Sequence, residues 1–319
     1  MTFERFPALS RRQMLAGLGA AAFSSSEPPG LLRAFAGTVA RPTGTVSALA
    51  FDQDRLVLAA AGVWISTDGG ANFSPRSKGP GVVAGLATHP DLAGVIYAAT
   101  SAGLLRSVDA GLSWHDAGPG LPAASLNAVA IAAHDPQIIY VAVRGDGLWQ
   151  SKDGAKSWEF AMDRPLVDKV EVDVQAIASV GSLSGMGGYW VYAGTSKGVS
   201  KVPDCFCRWS PLESTGTMDA LAKGAKPAPI DPASRLPHLS VGSLVATPST
   251  PEVLFAGLPS GIWKTADSGA TWALVNAKLA APLLAVNPQR PNHIVAVDAS
   301  GTMLSSRDGG VTWAAPAAV

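Results

Sequence analysis

Two sets of residues in this chain have the types and spacing to do chemistry. One is an acid that recurs: "STDGGANF" at 66, "SVDAGLSW" at 107, "SKDGAKSW" at 151, "TADSGATW" at 265 and "SRDGGVTW" at 306. Each places an aspartate (Asp68, Asp109, Asp153, Asp267, Asp308) two residues after a hydroxyl and five before an aromatic. A carboxylate so placed could act as nucleophile, general acid or base. The other set is "KVPDCFCRW", whose Cys205 and Cys207 are the only 2 cysteines among 319 residues. A C-x-C pair could bind a metal, exchange disulfides or do neither.

The spacing argues that the aspartates build turns. An Asp carboxylate can accept hydrogen bonds from the backbone N–H groups that follow it, closing an Asx-type loop. Gly70, Gly111, Gly269 and Gly310 stand two residues on, where a left-handed backbone is expected. Phe73, Trp114, Trp158, Trp272 and Trp313 then begin a new strand and can fold into a core. Each motif therefore staples a hairpin, and its aspartate reads as structural.

The same grammar surrounds every motif. An alternating strand ("VSALAFD", "LNAVAIAAHDP", "PLLAVNP") precedes a short β-rich run ("VIYAAT", "IIYVAV", "VLFAGL"). A glycine and a third strand ending in the motif follow, and the aromatic strand comes last. Four short strands per unit is the blade of a β-propeller. The chain is expected to be all-β, a single propeller of six blades starting near 46, 82, 126, 174, 241 and 282, with seven as the alternative count. The fourth unit is irregular. Its motif must be "VPDCFCRW", because Asp204 and Trp209 keep the five-residue spacing. Val202 stands for the hydroxyl and Phe206 for the turn glycine. Insertions at 181–188 and 213–240 flank this unit, and long loops in compact folds are functional or mobile.

Composition is that of a turn-rich globular protein: 47 % hydrophobic, 15 % charged, 34 glycines and 24 prolines. Lys and Arg number 24, as do Asp and Glu. This balance offers no footprint for nucleic acid or an acidic membrane surface. At the N-terminus, Arg11 and Arg12 precede the modest apolar stretch Met14–Phe23. The segment 1–36 resembles a twin-arginine export signal. "AFA" at 34–36 suggests cleavage before Gly37, leaving 37–319 as a periplasmic or otherwise exported product. An uncleaved anchor is the alternative. No later apolar run approaches the length of a membrane helix.

From about Gly44 onward the motifs resemble the Asp-box, or bacterial neuraminidase repeat, propellers. That group includes sialidases, xyloglucan-cleaving hydrolases, sortilin-type receptors and exported assembly factors related to the photosystem II stability factor. Repeat length, tight boxes and the export signal look most like the last. The resemblance implies a fold first and an activity second. A sialidase-type site needs three arginines, a tyrosine nucleophile with a glutamate partner, and an acid. Tyr97, Tyr140 and Tyr192 lie in hydrophobic strand runs and read as core, which leaves Tyr189 as the free tyrosine. Glu159, Glu171, Glu213 and Glu252 have no Arg/Tyr setting. A xyloglucanase-type site uses two aspartates between two propellers, and the chain has length for one. The reading leans away from an enzyme, with no catalytic residues, cofactor or metal assigned.

Binding is the preferred function: a scaffold for a protein partner within a larger exported or membrane complex. A carbohydrate-active propeller, hydrolytic or glycan-binding, is the alternative. Metal or redox handling by Cys205 and Cys207 is the second alternative. Loops between second and third strands gather on the face opposite the boxes. They bring Arg144, Asp146, Lys197 and Asp298 to that rim. The connection at 162–173 adds Arg164, and the long insertion adds Arg235 and His238. The histidines are dispersed and offer no ligand pair. The cysteines fall on the tip of a worn box, where a local disulfide, inert or partner-linked thiols, and metal ligation all stay open.

Overall fold

The computed structural model describes residues 42–184, 187–212, 224, 226, 230–280 and 282–317. The expected export segment and most of the 213–240 insertion lie outside these residues. Blade 1 comprises β1 (Ala48–Asp52), β2 (Arg55–Ala59), β3 (Val63–Ser66) and β4 (Ser74–Ser77). Blade 2 comprises β5 (Val83–Ala87), β6 (Ile96–Thr100), β7 (Gly103–Ser107) and β8 (His115–Asp116). Blade 3 follows with β9 (Leu126–Ala132), β10 (Asp135–Val143), β11 (Gly147–Ser151) and β12 (Glu159–Asp163). A separate ribbon, β13 (Leu166–Val167) and β14 (Val170–Glu171), precedes blade 4. Blade 4 is β15 (Val174–Leu183), β16 (Tyr189–Thr195), β17 (Gly198–Pro203) and β18 (Ser210–Pro211). Blade 5 is β19 (Ser243–Ala246), β20 (Leu254–Leu258), β21 (Gly261–Thr265) and β22 (Ala273–Asn276). Blade 6 holds β23 (Leu283–Val286), β24 (Ile294–Val297) and β25 (Met303–Ser306).

Each blade is an antiparallel meander in sequence order. The first strands β1, β5, β9, β15, β19 and β23 lie side by side in that order, and β23 returns to β1, closing a ring. In blade 6 the expected fourth strand shrinks to one bridge, Ser305 to Ala314. No strand is exchanged to close the ring among the described residues. Closure rests on packing and on Asp54 of blade 1, which accepts from Asn287 Nδ2 at 3.0 Å and pairs with Arg290 at 2.8 Å. The Asn287 hydrogen bond, helped by Arg290, holds the Asp54 carboxyl below its usual pKa.

The core sits between blades. Residues of one blade interlock with those of the next, as where Tyr140 and Leu148 of blade 3 meet Ile177, Val191 and Val202 of blade 4. Small alanines on the first strands let neighbouring sheets approach, while β-branched and aromatic residues of the second strands fill the space. Tyr97, Tyr140 and Tyr192 are fully buried, as their strand runs imply.

The five boxes repeat one hydrogen-bond set. Ser66, Ser107, Ser151, Thr265 and Ser306 each donate a hydroxyl to the Asp Oδ1 at 2.8 Å. The N–H four residues beyond each aspartate donates to the same oxygen at 2.8–2.9 Å. Oδ2 takes the side chain at that position, for example Ser113 Oγ at 2.6 Å. Closing the loop, the N–H two residues after the aspartate donates back to the hydroxyl, as Gly111 does at 2.8 Å. Reaching it requires two successive left-handed residues, such as Ala110 (φ 59°) and Gly111 (φ 84°). The box tips also tie blade to blade. Tyr97 Oη of blade 2 donates to the Gly154 carbonyl, and Tyr192 Oη of blade 4 to the Ser268 carbonyl.

Blade 4, whose motif around Asp204 is irregular in sequence, departs from this pattern. Val202 has no hydroxyl to hold its carboxylate. Asp204 instead reaches back to accept from Tyr189 N–H at 2.9 Å, and its other oxygen lies 3.6 Å from His134 Nε2. Tyr189 is not free: its ring stacks on His134 at 3.7 Å between centroids. Only one residue of this turn is left-handed, Phe206 at φ 50°. Cys205 and Cys207 are paired as a disulfide, with Cα atoms 5.6 Å apart.

Ser107→Ala removes a fully buried acceptor and orphans the Gly111 N–H. Unfolding stability should fall by about 1–3 kcal/mol in urea titrations, and a loss under about 0.5 kcal/mol would refute this account of the box. The box carboxylates are held below their usual pKa, by Ser113 at Asp109, by Ser157 at Asp153, and by Thr312 at Asp308, which falls to about 2. Depressed carboxylates stabilise the fold above their unfolded pKa of about 3.9 and lose that contribution as pH falls toward the folded values. The denaturation midpoint should therefore stay level from pH 7 to about 5 and drop below about 4. A level profile down to pH 2 would contradict it.

Candidate functional site

Strands alternate direction, so the second-to-third loops leave the ring on the side opposite the boxes. On that rim the charges converge around blades 3 and 4. Arg144 Nε donates to Asn127 at 3.2 Å, and the next residue, Gly145, donates its N–H to Asp173 at 3.0 Å. Asp173 also pairs with Arg164 at 3.4 Å, and Arg164 makes a second pair with Glu171. These two carboxylates raise the Arg164 pKa against the opposing effect of burial. Lys197 lies 3.7 Å from Asp168.

These pairs fasten the β13–β14 ribbon between two blades. The ribbon was not evident in the sequence. Its turn, Asp168–Lys169, has φ values of 50° and 64°, the geometry of a two-residue hairpin that glycine or asparagine usually marks. The readable signal is the short alternation "LVDKVE" about those two residues. Leu166 and Val170 project from it, 64 % and 51 % exposed. An exposed aliphatic pair on so short a ribbon favours a covering partner.

Behind the ribbon runs a cleft of about 250 Å³ along the flank of blade 4. Its wall includes Lys197, Arg235, His238, Trp209, Leu212 and Leu236, with Gly269 of the blade 5 box at its far end. The cleft exists because β18 is only two residues long and stops opposite Ser200, leaving Val199 without an outer strand. Blades 3 and 5 carry their outer strands down to Gly147 and Ile262.

Of the seven rim candidates, the structure brings Lys197, Arg235 and His238 into the cleft wall, Arg164 braces its ribbon, and Arg144 bonds Asn127 within blade 3. Asp146 is turned onto its own blade, where Trp149 Nε1 donates to it at 2.5 Å. Asp298, on blade 6, is occupied by Ser300 and Thr302 of its own turn. Trp209 is a box aromatic by its spacing. It reaches the cleft because its indole Nε1 donates to Asp163 O at 2.7 Å.

The central channel offers different chemistry. Leu49, Leu86, Val129, Ile177, Leu244 and Leu284 ring a cavity of about 190 Å³, with Thr88, His89, Ser179 and Thr247 as its polar side chains. Among the described residues lining it there is no carboxylate and no guanidinium. No group of three metal-ligating side chains occurs among the described residues, and no helix there is long and apolar enough to cross a membrane.

No protein-family model matches the chain. A xyloglucanase of Hypocrea jecorina (strain QM6a) is 26 % identical over 169 residues, which is 51 % of this chain and 20 % of that protein. The solved GH74 xyloglucanase of Xanthomonas campestris superposes with a TM-score of 0.51 at 20 % identity, covering 84 % of this chain and 45 % of its own. The chain is a six-bladed β-propeller. YCF48 bound to D1 peptide aligns with a TM-score of 0.49 and 18 % identity, covering 86 % of this propeller and 82 % of that chain. The propeller thus spans a fifth of the curated xyloglucanase and under half of the solved one. At these identities the likeness is one of fold.

Arg164→Ala should release the ribbon without unsettling the ring. Trypsin cleavage after Lys169 is expected to quicken roughly tenfold while the thermal midpoint barely moves. Unchanged cleavage would mean that other contacts hold the ribbon.

Proposed function

We propose that this propeller is an exported, non-catalytic scaffold that docks a protein partner on the rim and flank of blades 3 and 4. The observation that carries the reading is the cleft behind the ribbon. There Lys197, Arg235 and His238 meet Leu236, Trp209 and the exposed Leu166. Apolar anchors ringed by charge suit a protein surface. The described residues lining the channel include no carboxylate and no guanidinium. Export through the twin-arginine route and a place in an exported or membrane complex belong to this reading and rest on the sequence of the N-terminal segment.

A carbohydrate-active function is the second reading, and the identity shared with the Hypocrea xyloglucanase favours it. Trp209 in the cleft wall could stack on a sugar ring. Charge separates the two readings, because neutral glycans gain little from Lys197 and Arg235. The protein, immobilised and exposed to extract of the exported compartment, should retain a defined partner. Retention should weaken by at least about tenfold in Lys197→Glu, Arg235→Glu. Equal retention by the variant, or release of reducing ends from xyloglucan by the wild type, would reject the scaffold.

A further inference from the structure

We propose that the Cys205–Cys207 disulfide is a thiol–disulfide exchange site that accepts electrons from a protein dithiol. It lies on the box face of blade 4, away from the loop rim, and does not depend on the scaffold reading.

Three features distinguish this pair from a structural cross-link. Both cysteines are exposed, and exposed disulfides are the ones open to thiolate attack. The loop they close contains one residue, so the bond restricts the unfolded chain little and adds little stability by that route. The bond also fixes a conformation with a cost. It holds Phe206, a bulky residue, at φ 50°, where the five regular boxes place glycine or alanine.

A fourth feature lies in the core. Tyr97 and Tyr192 each donate to the carbonyl just after the aspartate of the next blade's box. Tyr140 is their equivalent in blade 3, and the matching carbonyl is that of Cys205. No such bond forms. Tyr140 Oη faces Gln150 of its own blade instead, and its ring meets Phe206 edge-on at 5.8 Å. The turn of blade 4 thus stays out of the shape the other boxes adopt, and the disulfide closes it. The blade is anchored without the sulfurs through Asp204 to Tyr189 and Trp209 to Asp163. Reduction can thus proceed in the folded protein.

The chemistry balances with one co-reactant. A thiolate of the partner dithiol attacks one sulfur, the S–S bond breaks, and the other sulfur leaves as a thiolate that takes up a proton. The partner's second thiolate resolves the mixed disulfide. The partner loses two electrons and becomes a disulfide, while Cys205 and Cys207 become thiols.

Dithiothreitol serves as the probe dithiol on the full chain purified without reductant, with thiols counted by alkylation and mass, and folding followed by tryptophan fluorescence. The expected result is no thiol at the start and two in millimolar dithiothreitol. Native fluorescence should persist, and the bond should re-form in oxidised dithiothreitol. Two free thiols before any reductant would overturn the proposal. So would a bond that opens only in denaturant, or reduction that abolishes the native fluorescence.

Discussion

Every regular blade turns on one hydrogen bond, the hydroxyl-to-carboxylate contact of 2.8 Å that fixes the box. Once Ser or Thr holds the aspartate, the carboxylate faces the N–H groups of its own turn, and two left-handed residues bring the chain round. That geometry sets where the following aromatic leaves the turn. Trp158 reaches Ala117 of the preceding blade through its indole N–H, and Trp272 is almost fully buried. The same turn presents the carbonyl that a core tyrosine of the neighbouring blade needs. A local interaction among near neighbours in sequence thereby spaces sheets that are about forty residues apart, which makes a ring of weakly propensed strands cooperative.

Blade 4 lacks that contact, and its other irregularities trace to the loss. Val202 packs fully buried where the hydroxyl would be. Its aspartate turns to Tyr189 and His134, and the glycine requirement moves with it. At Gly188 a Cβ would lie 2.3 Å from Asp204 Oδ1. The turn is then held by a disulfide, the outer strand is cut short, and the flank opens into a cleft. One missing oxygen therefore connects the features that make this blade unlike the others.

Much of this was legible because it is periodic. Six inner strands begin within two residues of the expected starts, and the left-handed glycines stand where the motif requires them. The box aspartates look catalytic in isolation, and their repetition identified them as turn formers. What escaped lacks a repeat to betray it. The ribbon uses Asp168–Lys169 in a turn without glycine, so no residue type announced it. The Tyr189–His134 stack joins residues fifty-five apart through the reorientation of Asp204, which depends on a tertiary contact. The short β18 results from the missing box and could not be read from "SPL" itself. At the rim, loop positions follow from the strand order, whereas side-chain directions do not. Asp146 and Asp298 bond within their own blades because a nearby indole or hydroxyl competes for each carboxylate.

The distribution of charge also constrains how such a ring can work. The channel is ringed by aliphatic side chains, and its described lining offers a polar ligand no carboxylate or guanidinium to replace lost water. Regular blades spend their polar groups on their own turns: each box aspartate has both oxygens occupied. Where the repeat is broken, beside the ribbon and along the shortened edge of blade 4, cations and apolar side chains face the same open space. The scaffold reading therefore places its partner on the irregular blade, where docking leaves the box interactions of the other blades intact.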